Sequence, residues 1–137
     1  MHYYAKIKKQ GGAYLVSFPD MPNVNTYGDT IEEAIKNAGD AVNGVLQADF
    51  GRGFELPQAR EYKGRGYYRI AVAPHIAVAY QLRELRRGQS QGEIARKLGV
   101  SYQAVQKLEN PKSANPSIKT LEKIAEIFGK RLELSFT

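Results

Sequence analysis

Four polar residues are expected to face outward on one short helix in the second half of the chain: Tyr102, Gln103, Gln106 and Lys107. The same helix carries Ala104, Val105 and Leu108, which are predicted to cover its interior side. A glutamine can form a bidentate pair with adenine, and a lysine can donate to guanine or to a phosphate. The pattern therefore predicts a helix that contacts base edges in the major groove of DNA.

Polar residues around that helix are candidates for contacts with DNA phosphates. Gln91 lies in the first turn of the preceding helix, where a neutral donor can reach the DNA backbone, and Ser101 caps the base-contacting helix. Asn110, Lys112 and Lys119 follow it. Phosphate contacts position a protein on the duplex, whereas base contacts select the sequence. These residue types require no metal and no cofactor.

Residues 90–110, SQGEIARKLGVSYQAVQKLEN, contain the elements that would position these side chains. Ser90 is expected to cap one helix, and Gly99 supplies a turn in which glycine adopts a positive φ without strain. Small Ala95 lets the next helix cross closely, and Val100 is expected to fill the core. Two short helices joined by a tight turn are typical of proteins that place the second helix in the major groove.

The net charge of +6 is concentrated in the second half of this 137-residue chain. Residues 1–75 hold nine lysines and arginines against eight carboxylates, whereas residues 76–137 hold eleven against six. A basic surface on the half with the helix-turn-helix pattern favours phosphate binding there. A surface that is basic only for solubility would give the same composition.

The composition also excludes several classes of protein. There is no cysteine, which excludes disulfides and thiolate metal sites and fits a reducing compartment. The first ten residues lack the apolar core of a signal peptide, and no apolar run approaches the ~20 residues that span a bilayer. We therefore expect a cytoplasmic protein with no membrane segment.

The amino-terminal half shows the alternation of a small sheet. Residues 3–9 and 13–18 alternate on either side of a glycine turn, which predicts a hairpin. Further strands are expected at residues 24–27 and 67–72, and residues 49–66 are expected to form loops.

A helix is predicted between the third and fourth of these strands. Thr30 is expected to cap it, with Glu33 completing a capping box. Its apolar residues recur at helical spacing: Ile31, Ala34, Ile35, Ala38, Ala41, Val42, Val45 and Leu46. The resulting β-β-β-α-β order predicts an antiparallel sheet with one helix packed on one face.

Residues 79–134 resemble the Cro/repressor (XRE-like) helix-turn-helix family through SQGEIARKLGVS, the following QKLEN and the tail NPSIKTLEKIAEIFGKRLEL. The resemblance runs through the family's five-helix pattern. It implies base-contacting residues at the four polar positions of the base-contacting helix, and a phosphate-contacting glutamine at Gln91. Two residues depart from the family. Glu84 replaces the usual arginine facing Glu109, which puts the usual internal ion pair in doubt, and Gln89 replaces an apolar residue.

Residues 3–57 resemble HicB antitoxins through a tyrosine-containing strand that ends in FPDMP, the helix start TYGDTIEEAIKNA and an exit at Gly53 and Pro57. HicB proteins have a partial ribonuclease-H-like β-β-β-α-β domain. They bind HicA, a small ribonuclease toxin, and block its catalytic histidine. A group of them carries a C-terminal helix-turn-helix and represses its own operon. The resemblance implies an antitoxin whose partners are a HicA-like mRNA-cleaving toxin and double-stranded operator DNA.

Candidate toxin contacts lie on the hairpin and around the helix start: Tyr4, Tyr14, Asp20, Asp29, Glu32 and Glu33. Aromatic side chains are good interface anchors, and an acidic edge would attract a basic RNA-cutting partner. The same tyrosines could instead pack the sheet, and the carboxylates could cap the helix.

We predict an α+β protein with two domains, residues 1–73 and 74–137. The second domain is expected to be all-α with a short C-terminal strand at 132–136, after helices at 76–87, 91–98, 102–109 and 116–128. Because one recognition helix contacts only a few base pairs, a homodimer or higher homo-oligomer on a palindromic operator is expected. The terminal strand could pair with its twin or cover its own domain.

Two other functions fit parts of the sequence. A transcriptional repressor whose amino-terminal domain senses a small ligand would need no toxin partner. A nuclease would need carboxylates gathered around two metal ions. The available aspartates do not have converging spacings: Asp20, Asp29, Asp40 and Asp49. His2 and His75 lack a serine or cysteine partner pattern, so we predict that the chain is not an enzyme.

Overall fold

The structure is a computed structural model that describes residues 1–136. The chain divides into two compact units, residues 1–76 and residues 77 onward. The first unit is a sheet with one helix and the second is helical, which confirms the predicted α+β class. No helix within residues 1–136 has the length and apolar character of a membrane span.

Four antiparallel strands form the sheet of the first unit, in the order β3-β2-β1-β4. They are β1 (His2–Gln10), β2 (Ala13–Phe18), β3 (Met21–Gly28) and β4 (Tyr67–Ala71), and helix α1 (Ile31–Gly51) precedes β4. This is the predicted β-β-β-α-β order. β3 begins before the predicted start at Val24 and includes Pro22. The sheet tolerates this proline because β3 is an edge strand.

Helix α1 packs on one face of the sheet. Alternate residues of β1, namely Tyr3, Ala5 and Ile7, are buried on that face, as predicted. The buried residues of α1 recur every four positions: Ala34, Ala38, Val42, Leu46 and Phe50. Ile35 and Val45, which the sequence places in the same stripe, are exposed because a helix lying on one sheet buries only one narrow side.

A polar cap determines where α1 begins, and a buried apolar side chain determines how far it extends. The Glu33 amide donates to Thr30 Oγ1 at 3.1 Å, which satisfies one of the free N–H groups of the first turn. The helix continues to Gly51, so the prediction that Asp49 to Gly51 are loop residues is wrong. Phe50 explains the extension, because its side chain is buried in the core.

Residues 60–62, here named the strap, lie on the sheet face opposite α1. Tyr4 on that face donates to the Glu61 carboxylate at 2.7 Å, and the Tyr62 ring stacks on Tyr67 with 5.3 Å between ring centroids. The Asp20 carboxylate accepts from the Tyr62 hydroxyl at 2.7 Å and from the Arg60 amide at 2.9 Å. The strap therefore has an ordered position despite having no regular secondary structure.

The second unit contains all but the first turn of α2 (Pro74–Arg86), followed by α3 (Gln91–Leu98), α4 (Tyr102–Leu108) and α5 (Ile118–Ile127). Its buried core contains Leu82, Ile94, Ala95, Leu98, Val105 and Ile124. The described residues form four helices here, so the five-helix pattern is wrong for this chain. Val100 is 42% exposed and not a core residue, because it lies in the turn where its amide donates to the Ala95 carbonyl at the end of α3.

The predicted short C-terminal strand is absent in the single chain. Residues 130–136 form no ladder with any other described segment, and Leu134 and Phe136 are exposed. A strand exists only through hydrogen bonds to a neighbour, and one chain supplies none at this position. The alternation of Leu132, Leu134 and Phe136 is nevertheless present in the sequence.

Gly28 and Gly44 provide a matched test of the packing of α1. A Cβ at Gly28 would overlap the backbone of Ala34, whereas a Cβ at Gly44 would meet no atom within 4 Å. We expect Gly28→Ala to lower the free energy of unfolding by about 3 kcal/mol through overpacking. Gly44→Ala should raise it by about 0.5–1 kcal/mol, since alanine favours the helix.

The measurement is urea unfolding followed by near-UV circular dichroism. Seven of the nine tyrosines precede residue 76, so this signal reports mainly on the first unit. Equal effects of the two substitutions would contradict the close packing at Gly28.

Candidate functional site

Helices α3 and α4 form a helix-turn-helix whose ends are capped as the sequence predicts. Ser90 and Glu93 form a complete capping box at the start of α3, and Gly99 ends the helix with φ 70°. The Ala104 amide donates to Ser101 Oγ at 3.1 Å, which caps α4. These caps satisfy free helix-end groups on both sides of the turn and fix where α4 begins.

The four predicted base-contacting residues all lie on the exposed side of α4: Tyr102, Gln103, Gln106 and Lys107. Val105 is fully buried, and Ala104 and Leu108 are half-buried on the opposite side. The predicted division of α4 into an outward polar side and an inward apolar side is confirmed. Contact with bases is not tested by this exposure and stays a prediction.

A buried carboxylate, Glu109, joins the end of α4 to two other helices. Arg86 at the end of α2 donates to it through Nε at 2.6 Å and through Nη2 at 2.8 Å. Gln91 at the start of α3 donates to it through Nε2 at 3.2 Å. The hydrogen bond to Glu109 raises the pKa of Arg86 above its ordinary value, which keeps the guanidinium charged.

The doubt about the internal ion pair is therefore wrong. Arg86, and not residue 84, faces Glu109, and Glu84 pairs instead with Arg87 at 2.7 Å on the surface. The reason is helical phase, because residues two positions apart point to nearly opposite sides of α2. Sequence reasoning missed Arg86, although the glutamate it would contact was identified.

Gln89 and Gln91 also take part in contacts within the unit. The Gln89 side chain accepts from Lys97 at 2.8 Å, and its carbonyl accepts from Arg86 at 2.9 Å, which explains a polar residue where the family has an apolar one. The amide nitrogen of Gln91 is held by Glu109. This bond fixes the orientation of a side chain that is predicted to contact a phosphate.

The other predicted phosphate contacts surround the end of α4. The Asn110 side chain accepts from the Lys112 amide at 3.0 Å, and both residues are exposed. A groove of about 520 Å³ lies between α4 and the start of α5, and both Lys107 and Lys119 line it. One basic surface thus carries a predicted base contact and a predicted phosphate contact. No sequence pattern indicates this groove.

The six predicted toxin contacts do not form one cluster. Asp29, Glu32 and Glu33 are exposed where β3 leads into α1, and Tyr14 lies beside them because it pairs with Gly28. Tyr4 lies on the other side of the sheet. The Asp20 carboxylate is almost completely buried, where Tyr62 and Arg60 bind it. For Asp20 the structure shows an internal role, and toxin contact stays a prediction for all six residues.

The hydrogen bonds of the strap shift the pKa values of their partners. The bond between Tyr4 and Glu61 raises the pKa of Tyr4 and lowers the pKa of Glu61. The bond to Asp20 raises the pKa of Tyr62. These contacts therefore need protonated phenols and ionised carboxylates, a state that is present at neutral pH and is lost in strong acid or strong base.

The aspartates considered for nuclease chemistry are not gathered. Within residues 1–136 no group of three histidine or acidic side chains is placed to hold a metal ion. Asp40 pairs with Lys36 at 3.2 Å on the surface of α1, far in sequence from the buried Asp20. The nuclease alternative therefore has no metal-binding cluster to support it.

Comparison with known proteins gives a match for each half of the chain. Residues 3–66 match the HicB-like antitoxin family of bacterial toxin-antitoxin systems, and residues 80–134 match a helix-turn-helix family. Antitoxin HicB 2 of Photorhabdus laumondii is 31% identical over 98% of this chain and 95% of its own length. Antitoxin HicB of Escherichia coli K12 is 30% identical over 90% of this chain and 89% of its own.

Two solved structures from Burkholderia pseudomallei also match. The amino-terminal domain of its antitoxin HicB is 26% identical, with a TM-score of 0.48 over 53% of this chain and 99% of that one. The longer antitoxin HicB is 21% identical, with a TM-score of 0.47 over 70% of this chain and 92% of that one.

Substitution of Glu109 by glutamine tests whether the buried network holds α4 in place. We expect Glu109→Gln to lower the free energy of unfolding of the second unit by about 2 kcal/mol, because the Arg86 guanidinium loses its charged partner. The control Glu84→Gln removes an exposed pair and should cost less than about 0.5 kcal/mol.

The rates of hydrogen exchange of the α4 amides are measured in both variants. Exchange in α4 should be faster only in Glu109→Gln. Unchanged protection of α4 in that variant would show that the network does not determine the position of the helix.

Proposed function

Because the chain belongs to the HicB family of antitoxins and carries a helix-turn-helix DNA-binding unit, we propose that it inhibits a HicA-like mRNA-cleaving toxin and represses its own operon. The amino-terminal unit binds the toxin, and the carboxy-terminal unit binds operator DNA. The observation that carries the proposed DNA binding is the exposed polar side of α4. The end of this helix is held by three hydrogen bonds to Glu109.

Operator recognition depends on α4 and the basic surface around it. The glutamines at 103 and 106 project from a short helix whose inward side is fixed in the core, so they can approach base edges without reordering the backbone. Gln91, Ser101, Asn110 and Lys112 lie at the ends of α3 and α4, where phosphate contacts would set the register of α4 on the duplex.

Toxin binding is supported by the family and by the charge around the start of α1. Asp29 precedes the cap Thr30, Glu32 and Glu33 lie in the first turn of the helix, and all three are exposed. A ribonuclease must present cations to bind phosphates, so such an acidic surface attracts it and speeds association. The proposed setting is the cytoplasm, where both mRNA and operator are found.

A homodimer is the proposed DNA-binding form. One α4 helix covers a few base pairs, and two copies related by a two-fold axis match a palindromic operator. The tail from Leu132 to Phe136 has unpaired backbone groups and exposed apolar side chains on alternate residues. Pairing with the same segment of a second copy would satisfy both.

Replacement of the two recognition glutamines tests whether operator binding and toxin binding reside in separate units. We expect Gln103→Ala/Gln106→Ala to reduce the preference for operator over random DNA by about 100-fold, since each bidentate pair contributes about 1–3 kcal/mol. Toxin affinity should not change. The control is Gln81→Ala, an exposed glutamine of α2.

Both affinities are measured by calorimetry and by gel-shift titration on the same preparations. If the double variant lost toxin binding and operator selectivity together, the two activities would not reside in separate units.

Polar substitutions in the tail test the dimer. We expect Leu134→Ser/Phe136→Ser to shift sedimentation from dimer to monomer, because the paired strands would lose their apolar side. Ile118→Ser removes an apolar side chain of α5 that is 59% exposed, close to the 63% of Leu134, and should leave the dimer intact. Sedimentation of the tail variant as a dimer would exclude the tail as the interface.

A further inference from the structure

The sheet face opposite α1, here named the outer face, is covered on one half only. The strap covers the half formed by β1 and β4. Lys6 on this half donates to the Arg65 carbonyl at 3.0 Å and lies 4.3 Å above the centre of the Tyr67 ring, on which Tyr62 stacks. Tyr4 is bound by Glu61 in the same region.

Beyond the β2–β3 turn, where Asp20 binds the strap, the half formed by β2 and β3 leaves its outward residues exposed. Leu15 and Tyr27 are directly paired across the two strands, and they are 41% and 60% exposed. Directly paired residues share one face and lie about 5 Å apart, so the two side chains form one continuous apolar surface. Ser17 and Asn25 form the next exposed pair beside it.

The exposed apolar residues of α1 are not adjacent in this way. Ile35 and Val45 of α1 are both 37% exposed, but ten residues of helix separate them by about 15 Å. Single exposed apolar side chains are normal on a protein surface, whereas a continuous aromatic and aliphatic pair on a rigid strand pair is a feature of binding surfaces.

We infer that Leu15 and Tyr27, the Leu15–Tyr27 patch, are the apolar anchor on which the toxin docks. This inference rests on the proposed function, since it assigns a surface to the proposed toxin partner. The patch offers a rigid tyrosine, which contributes a large contact area with little loss of side-chain entropy on binding.

The charges around the patch indicate the chemistry of its partner. Tyr27 is followed by Gly28 and Asp29, and Glu32 and Glu33 complete an exposed acidic border at the start of α1. Lys8, the residue paired with Leu15 on β1, is the cation nearest in the ladder. The acidic residues therefore lie where the edge strand β3, which carries Tyr27, leads into α1. A partner with an apolar contact residue among basic, RNA-binding side chains is complementary to this border.

The test uses the full chain and, as the probe, the HicA-like toxin of the proposed function with its catalytic histidine replaced by alanine. We expect Leu15→Thr/Tyr27→Thr to weaken binding about 30-fold or more in calorimetry, since central anchors dominate interface energies. Threonine preserves the preference for strand. The control Ile35→Gln/Val45→Gln removes the two separate apolar residues. Its affinity for the toxin should stay within about threefold of that of the unmodified chain.

A second variant tests the acidic border without altering the sheet. Asp29→Asn/Glu32→Gln should slow association at low salt, and the difference should vanish at high salt. The charge-matched control is Asp40→Asn/Glu55→Gln, which removes two carboxylates elsewhere in the unit. Promoter binding and the far-UV circular dichroism of each variant verify that it is folded, because the patch variant lacks one of the tyrosines that give the near-UV signal.

The outcomes distinguish failure of the Leu15–Tyr27 patch as the docking surface from failure of the proposed function. If the unmodified chain binds the probe and the folded patch variant binds equally well, the patch is not the docking surface and the proposed function stands. The same conclusion follows if the acidic-border variant associates as fast as its control. If the patch variant becomes monomeric but still binds the probe, the patch is a contact between copies. Failure of the unmodified chain to bind the probe would overturn both the docking surface and the proposed function.

Discussion

The Glu109 carboxylate is buried inside the second unit and accepts two hydrogen bonds from Arg86 and one from Gln91. A buried carboxylate without such partners costs several kcal/mol, so the three helices that supply and receive these bonds have one favourable arrangement. That arrangement turns the polar side of α4 outward. The orientation of the surface proposed to contact bases is therefore held by a buried ion pair as well as by the apolar core.

The first unit meets a different constraint, because a four-stranded sheet has two faces and α1 can cover only one. The strap covers half of the other face through Tyr4, Tyr62 and the buried Asp20. The remaining half keeps Leu15 and Tyr27 exposed. A surface available for a protein partner thus lies in one unit and a surface suited to DNA lies in the other, so each can change in sequence without disturbing the core beneath the other.

The sequence predicts the features that depend on neighbouring residues and fails where distant groups meet. The period of two in β1 and the caps at Thr30, Ser90 and Ser101 are local, and the structure confirms them. The strap depends on Tyr62 and Asp20, which are 42 residues apart, so no local pattern indicates it. Arg86 was missed because an error of two positions along α2 selects the opposite side of the helix. The C-terminal strand is not formed because the described part of the single chain offers residues 132–136 no hydrogen-bonding partner.

The most direct test of the account is a fluorescence anisotropy titration of the purified chain with a DNA fragment of its own promoter and with a shuffled fragment of equal composition. At physiological salt the account predicts that the promoter binds at least about 1,000-fold more tightly, as is typical of specific operator recognition. Equal affinity for the two fragments, with the same dependence on salt, would mean that the basic surface binds phosphates without reading sequence. That result would contradict the assignment of α4 as a recognition helix.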